Sequence, residues 1–253
     1  MHFIFNTVFY LPLYNALVLL CSVLPSHSVG LAIIILTIGV RVILFPLQHR
    51  MSHTQRKLRE LDGTIKSIKE KHAKDNTEQA RQIMALYKEH GINPMSGFIV
   101  LIIQIPILLA LFWVTRGSFN FDPSLLYSFV VAPASISTNL FGLIDVSAHS
   151  YVLAVLVGIS QYTQISLTMP PMAKSKPGVA PTLKDDMARS MSLQMRYVLP
   201  VIIIFVSAQL PAAVSLYWIT SNIFSIGHEL YVRRKAKEIP GPKNLSVNQA
   251  PTN

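Results

Sequence analysis

The sequence predicts an all-α polytopic membrane protein. The expected architecture is a five-helix transmembrane core with a cytoplasmic helical hairpin and an N-terminal interfacial helix. Three observations carry this. First, 51% of the 253 residues are hydrophobic and only 13% are charged, where a soluble domain carries about a quarter charged. Second, the chain holds several apolar runs near the ~20 residues that cross a bilayer. Third, the net charge of +10 is unevenly placed. Every Lys and Arg except Arg41 and Arg116 falls in the three polar stretches that five spans put on one side, or, for Arg196, at the adjoining end of a span. That asymmetry puts the hairpin and C-terminus in the cytoplasm and the N-terminal segment outside.

The N-terminal stretch, 1–28, is apolar but interrupted by Asn6, Tyr10, Pro12, Tyr14 and Asn15. Aromatic and scattered polar groups favour a helix in the interface, with a spanning helix as the alternative. No Lys or Arg precedes the apolar core, so a cleavable signal is disfavoured. The one cysteine, Cys21, excludes an internal disulfide and a cysteine metal cluster. The sequence around it, LVLLCS, lacks the small residue of a lipoprotein signal, and apolar packing is its expected role.

The first span is read at 29–48 and holds Arg41 within GVRVILFPLQHR. At helical rise the arginine lies about 9 Å inside the end near Leu47. A guanidinium in lipid costs about 2.5–3.5 kcal/mol on insertion scales unless it meets water or a partner. It can snorkel to the interface, or other helices can build a wet cavity around it.

Residues 49–93 change character abruptly. Apolar residues at Leu58, Leu61, Ile65 and Ile68 form one helical stripe, and Ile83, Met84, Leu86 and Tyr87 a second. Asp75-Asn76-Thr77 separates them, Asn76 with Gln79 reads as a capping box, and Gly91 as a stop. This is a soluble antiparallel helical hairpin with solvated charged faces. It carries no base-reading motif, and its basic excess is a weak signal for ribosomal RNA.

Asn93-Pro94 starts the second span, 94–115, which carries Gln104 and Pro106. An extracytoplasmic loop, 116–150, follows as interface-hugging chain with a short helix. The third span is 151–169, then a Lys/Pro/Gly-rich cytoplasmic linker, 170–194. The fourth span, 195–209, meets the fifth, 212–231, across a tight turn at Leu210-Pro211. A basic tail, 232–253, is expected to be disordered.

The apolar cores contain no Asp or Glu, so Arg41 lacks a carboxylate partner in the bilayer. Neutral groups are available: Thr37, Gln104, Gln161, Gln164, Ser207, Ser221 and Asn222. Singly, each is ordinary interhelical glue worth about 0.6 kcal/mol. Beside a lone arginine, together they favour a hydrated cavity that attracts acidic residues of a passing polypeptide. Carboxylate-free cores argue against a proton pump. No Walker loop, HExxH, Ser/His/Asp arrangement or zinc spacing occurs, so neither an enzyme nor a cofactor is expected. A small solute or ion transporter is the alternative class, but the internal repeats it predicts are not evident.

GVRVILFPL, MALYKEHGINPMSG, LIIQIPILLALF and LYWITSN together resemble the YidC/Oxa insertase family in its short bacterial form. The resemblance covers about residues 3 to 235. It implies five helices around a hydrophilic groove open to cytoplasm and lipid, with Arg41 as the groove arginine. Thr37 and Trp218 fall on the family's substrate-contacting positions, and Gln104 on the glutamine of its second-span motif. It implies a membrane protein insertase and chaperone in the bacterial plasma membrane. The partners it implies are nascent membrane proteins, the Sec translocon, the ribosome and the lipid bilayer.

Overall fold

The computed structural model describes residues 2–24, 26–73, 75–93, 96–116, 119–169 and 190–238. Most of the expected linker, the end of the tail and Pro94 lie outside them. The chain opens with α1, Phe3–Val23. Helices α2, Val29–Ile43, and α3, Phe45–Glu60, follow. The hairpin pairs α4, Asp62–Lys71, with α5, Asn76–Glu89. Then come α6, Ser96–Arg116, and α7, Tyr151–Thr168. The last two are α8, Ser190–Ala208, and α9, Ala212–Glu238. By length and apolarity α1, α7 and α8 suffice to cross a membrane, and the bent pair of α2 with residues 45–58 makes a fourth candidate. α6 carries a shorter apolar stretch, Gln104–Thr115. α9 is interrupted along its length by polar residues.

Prolines shape three of these helices. Pro46 cannot donate to Val42, and the chain breaks at Leu44, bending α2 from α3 by 59°. The polar helix α3, which leads into the hairpin, therefore begins at Phe45, inside the stretch read as the end of the first span. In α1 and α8 the proline is met by a π-turn instead. Asn6–Tyr10 precedes Pro12, and Gln194–Val198 precedes Pro200. The wider turn makes room for a residue that cannot donate. Helix is thus already present at Ser190, ahead of the start expected near Met195.

α9 packs against both α2 and α7, α8 packs on α7, and α1 packs on α2. Tyr14, Leu17, Cys21, Ile33, Leu111 and Val114 are among the core residues that join α1, α2 and α6. The thiol of Cys21 is buried there, as expected. Gly158 lets α7 and α8 approach. A Cβ at that position would collide with the Ile204 side chain and lie 3.3 Å from the Pro200 carbonyl oxygen.

The segment between α6 and α7 holds a 3-10 turn, Pro123–Leu125, and an antiparallel pair, β1 (Asn139–Leu140) with β2 (Ile144–Asp145). The strand pair was not anticipated, because two-residue strands leave no periodic trace. The chain flanking it fastens helix ends through backbone bonds. Val29 N–H donates to the Ser137 carbonyl at 2.9 Å, Ala212 N–H to Ala148 at 2.7 Å and Ala213 N–H to Val146 at 2.8 Å. Phe141 and Gly142 turn the hairpin with φ of 53° and 72°. A bulky residue in that left-handed region costs about 1–3 kcal/mol.

In the polar hairpin the cap falls one residue earlier than predicted. Asp75 accepts from the Thr77 and Glu78 amides at 3.0 Å, while Gln79 reaches back to the His72 carbonyl at 2.7 Å. Gly91, at φ 62°, completes a Schellman motif, with Ile92 N–H on the Tyr87 carbonyl. α9 runs past the expected start of the tail. Arg233 pairs with Glu229 at 3.0 Å and also donates to the Leu167 carbonyl at the end of α7. The helical turn so fixed continues to Glu238.

Gly158→Val should loosen the α7–α8 contact by about 1–3 kcal/mol and lower the unfolding temperature in detergent. Gly39→Ala, with nothing within 4 Å of the added atom, should not. Hydrogen bonds from Arg81 and then Gln82 hold the Glu78 carboxyl down at about 2, below its ordinary 4.5. The first turn of α5 should therefore keep its full amide-exchange protection above pH 4.5 and lose part of it as pH falls toward 2. Glu78→Gln should abolish that pH dependence.

Candidate functional site

Arg41 stands on the face of α2 that meets α9 and is only 9% exposed. Its guanidinium is held by neutral groups. Nε donates to Ser221 Oγ at 2.8 Å, and Nη2 donates both to Ser221 and to Gln104 Oε1, the latter at 3.0 Å. Gln104 is itself oriented, its Nε2 donating to the Tyr217 hydroxyl at 2.6 Å. Among the described residues, ion pairs occur on the hairpin and at the end of α9, and none involves Arg41. Three helices, α2, α6 and α9, thus converge on one buried cation without a counter-charge.

The arrangement follows from helical period. Tyr217, Ser221, Ser225 and His228 repeat at intervals of three and four, so they line one face of α9. That face continues below Arg41. Gln48 Nε2 donates to Ser225 Oγ at 3.1 Å, and the His49 and His228 rings meet at 3.3 Å with Phe45 edge-on to His228. Trp218 and Asn222 lie on the neighbouring face, toward α7. Trp218 Nε1 donates to Gln161 Oε1 at 3.2 Å. Asn222 Nδ2 donates to the same oxygen at 3.1 Å and to Ser160 Oγ at 3.0 Å. Gln161 Nε2 in turn donates to Gln164 Oε1 at 3.1 Å.

The nine residues singled out from the sequence therefore divide. Arg41, Gln104 and Ser221 form one cluster. Gln161, Gln164, Trp218 and Asn222 form a second, on the adjoining side of the same helix. Thr37 is buried one turn from Arg41, but its hydroxyl donates to its own helix at Ile33, 2.6 Å away. Ser207 stands apart, its hydroxyl 2.7 Å from that of Ser215 near the turn joining α8 to α9. Tyr217, Ser160, Gln48 and Ser225 belong to the polar network and were not chosen as site residues. Tyr217 had a legible signal, since it lies one turn before Ser221 on the same face. Ser160 and Gln48 had none, because their role depends on which helix each face meets. No group of three or more His, Cys, Asp or Glu suited to a metal ion occurs among the described residues.

A family model described as 60Kd inner membrane protein matches residues 21–239. A protein of Geotalea daltonii named membrane protein insertase YidC is 30% identical over 211 residues, covering 83% of this chain and 34% of that protein. One of the same name from Ectopseudomonas mendocina is 30% identical over 216 residues, 85% of this chain and 32% of its own length. One from Alkalihalophilus pseudofirmus is 28% identical over 232 residues, covering 88% and 79%. The chain spans about a third of the first two relatives and most of the third.

Ser221→Ala should remove the acceptor shared by two guanidinium nitrogens and cost about 1–3 kcal/mol. Its unfolding temperature in detergent should fall clearly below that of Thr220→Ala, whose hydroxyl only bonds its own helix at Leu216.

Proposed function

The chain belongs to the 60Kd inner membrane protein family, and from that premise we propose that it inserts nascent membrane proteins into the bacterial plasma membrane. The observation that carries the reading is Arg41, a buried cation whose partners are all neutral. Two polar faces on α9 flank it, and we read them as walls of one hydrophilic groove. A polar stretch of nascent chain enters this groove and exchanges water for amide and hydroxyl groups. An acidic residue of that stretch finds in Arg41 a charge that Ser221 and Gln104 have not neutralised. The hydrophobic part of the substrate then passes into lipid alongside. The barrier falls because less polar backbone and charge crosses bare hydrocarbon. No step forms or breaks a covalent bond, so the protein acts as an insertase and chaperone rather than an enzyme.

The remaining assignments belong to the same reading. The polar hairpin and basic C-terminus face the cytoplasm, where the positive charge lies. There they meet the ribosome, and the membrane domain cooperates with the Sec translocon. α1 lies in the outer interface. In support, Tyr14 and Asn15, at the middle of α1, bond chain that lies beyond the end of α6. The Tyr14 hydroxyl accepts from the Asp122 amide at 2.6 Å, and Asn15 Oδ1 accepts from the Tyr127 amide at 2.7 Å.

The test is insertion of single-span substrates with acidic or neutral translocated tails into vesicles holding the purified chain. Arg41→Ala should slow the acidic-tailed substrate about tenfold, equivalent to ~1.4 kcal/mol, and Arg41→Glu more. The neutral-tailed substrate should be little affected. Equal rates for all three proteins on the acidic tail would refute the electrostatic role. Crosslinks from position 218 to a stalled nascent chain should form, and their absence would argue against a substrate groove at α9.

A further inference from the structure

The β1–β2 hairpin presents its least water-compatible residues at its tip. Phe141 is 76% exposed and Leu143 86% exposed, on either side of Gly142. The turn runs from Leu140 to Leu143, whose amide donates to the Leu140 carbonyl at 3.0 Å. Both central residues have positive φ, the geometry of a type I′ turn, in which Asn or Gly is the favoured first residue. Phenylalanine at that position is therefore doubly costly in water, through backbone strain and through exposed aromatic surface. The next residue back fixes the depth of the tip. Leu140 is buried against Gly30, where an added Cβ would lie 2.8 Å from Leu140 Cδ1. Gly30 is in the first turn of α2, so the strand runs beside that turn and not above the helix end. Tyr151 and Val152, in the first turn of α7, are likewise large, apolar and exposed. Large apolar side chains are thus exposed both at the tip and on the first turn of α7.

We propose that Phe141 and Leu143 form a wedge that enters the acyl region of the leaflet opposite the polar hairpin. The wedge anchors the strand pair to which the ends of α2 and α9 are fastened. The occupant is lipid, because Leu140, the residue before the tip, packs on the first turn of α2, the end of a helix read here as spanning. The proposal rests on α2 and α7 crossing the bilayer and is independent of what the protein transports.

The full chain, spin-labelled singly through Phe141→Cys, Leu143→Cys, Ser124→Cys or Ile159→Cys, would be reconstituted in phosphatidylethanolamine/phosphatidylglycerol vesicles. Collision with dissolved oxygen and with a water-soluble nickel chelate would then be measured. Labels at 141 and 143 should favour oxygen several-fold more than the label at 124, approaching the label at 159 on the exposed face of α7. If 159 is dry while 141 and 143 match 124, the wedge is refuted and the spans stand. If 159 itself is open to nickel, the crossing of α7 falls and the wedge with it. Spin–spin broadening at 141 that disappears on dilution with unlabelled protein would assign the tip to a second copy and overturn the proposal. Phe141→Trp, which keeps an aromatic ring, should be quenched by lipids brominated near the headgroup end of the acyl chain, relative to the parent protein. Absence of added quenching would count against the wedge even if the labels perturb the turn.

Discussion

The fold depends on how a guanidinium is kept inside an apolar bundle. Arg41 donates its hydrogen bonds to Ser221 on α9 and Gln104 on α6, and Tyr217 fixes the glutamine. Satisfying the donors removes most of the penalty for burying polar nitrogen. It does not remove the charge. An ion pair with Asp or Glu would have made the same position electrically silent. Neutral partners instead leave a positive potential in a low-dielectric setting, where it acts strongly and over some distance. The requirement for such partners explains why α9 cannot be uniformly apolar. One of its faces must offer acceptors to α2, and the helix consequently falls short of the apolarity of an ordinary span.

Prolines set the second constraint. Each breaks the helical ladder at a chosen point, and the chain answers in different ways. At Pro12 and Pro200 a π-turn absorbs the defect and the helix continues. At Pro46 the helix ends at Leu44 and a new one departs at 59°. The outcome differs because residues beyond Pro46 are polar and gain by leaving the apolar environment, whereas those beyond Pro12 and Pro200 are apolar. The polar seam of α3 is then held to α9 by Gln48 on Ser225 and His49 on His228.

Much of this was legible in the residues. The hydropathy runs fell on α2, α6, α7 and α9, and the lone arginine singled out the candidate cluster, because charge in an apolar run must be explained. Gln104 and Ser221 were found for the same reason. The capping residue of α5 was misplaced by one, since Asp75 and Asn76 are both good caps and only the fold selects between them. Ser207 was grouped with the site on composition alone. It pairs with Ser215 instead, because polar periodicity shows that a face is polar but not which helix it meets. The extension of α9 through Arg233 was missed because it depends on a carbonyl at the end of α7, distant in sequence.

The two ends of the bundle are not equally stiff. At one end, main-chain bonds from the segment containing β1 and β2 hold the first turns of α2 and α9, and these cannot be exchanged without moving backbone. At the other end, among the described residues, α2 and α3 are tied to α9 through side chains, whose bonds can be exchanged without moving backbone. A force that pries these helices apart therefore meets far greater compliance on the polar-hairpin side. Like a clothes-peg, the bundle would open on the side rich in lysine and arginine, with its spring at the opposite face.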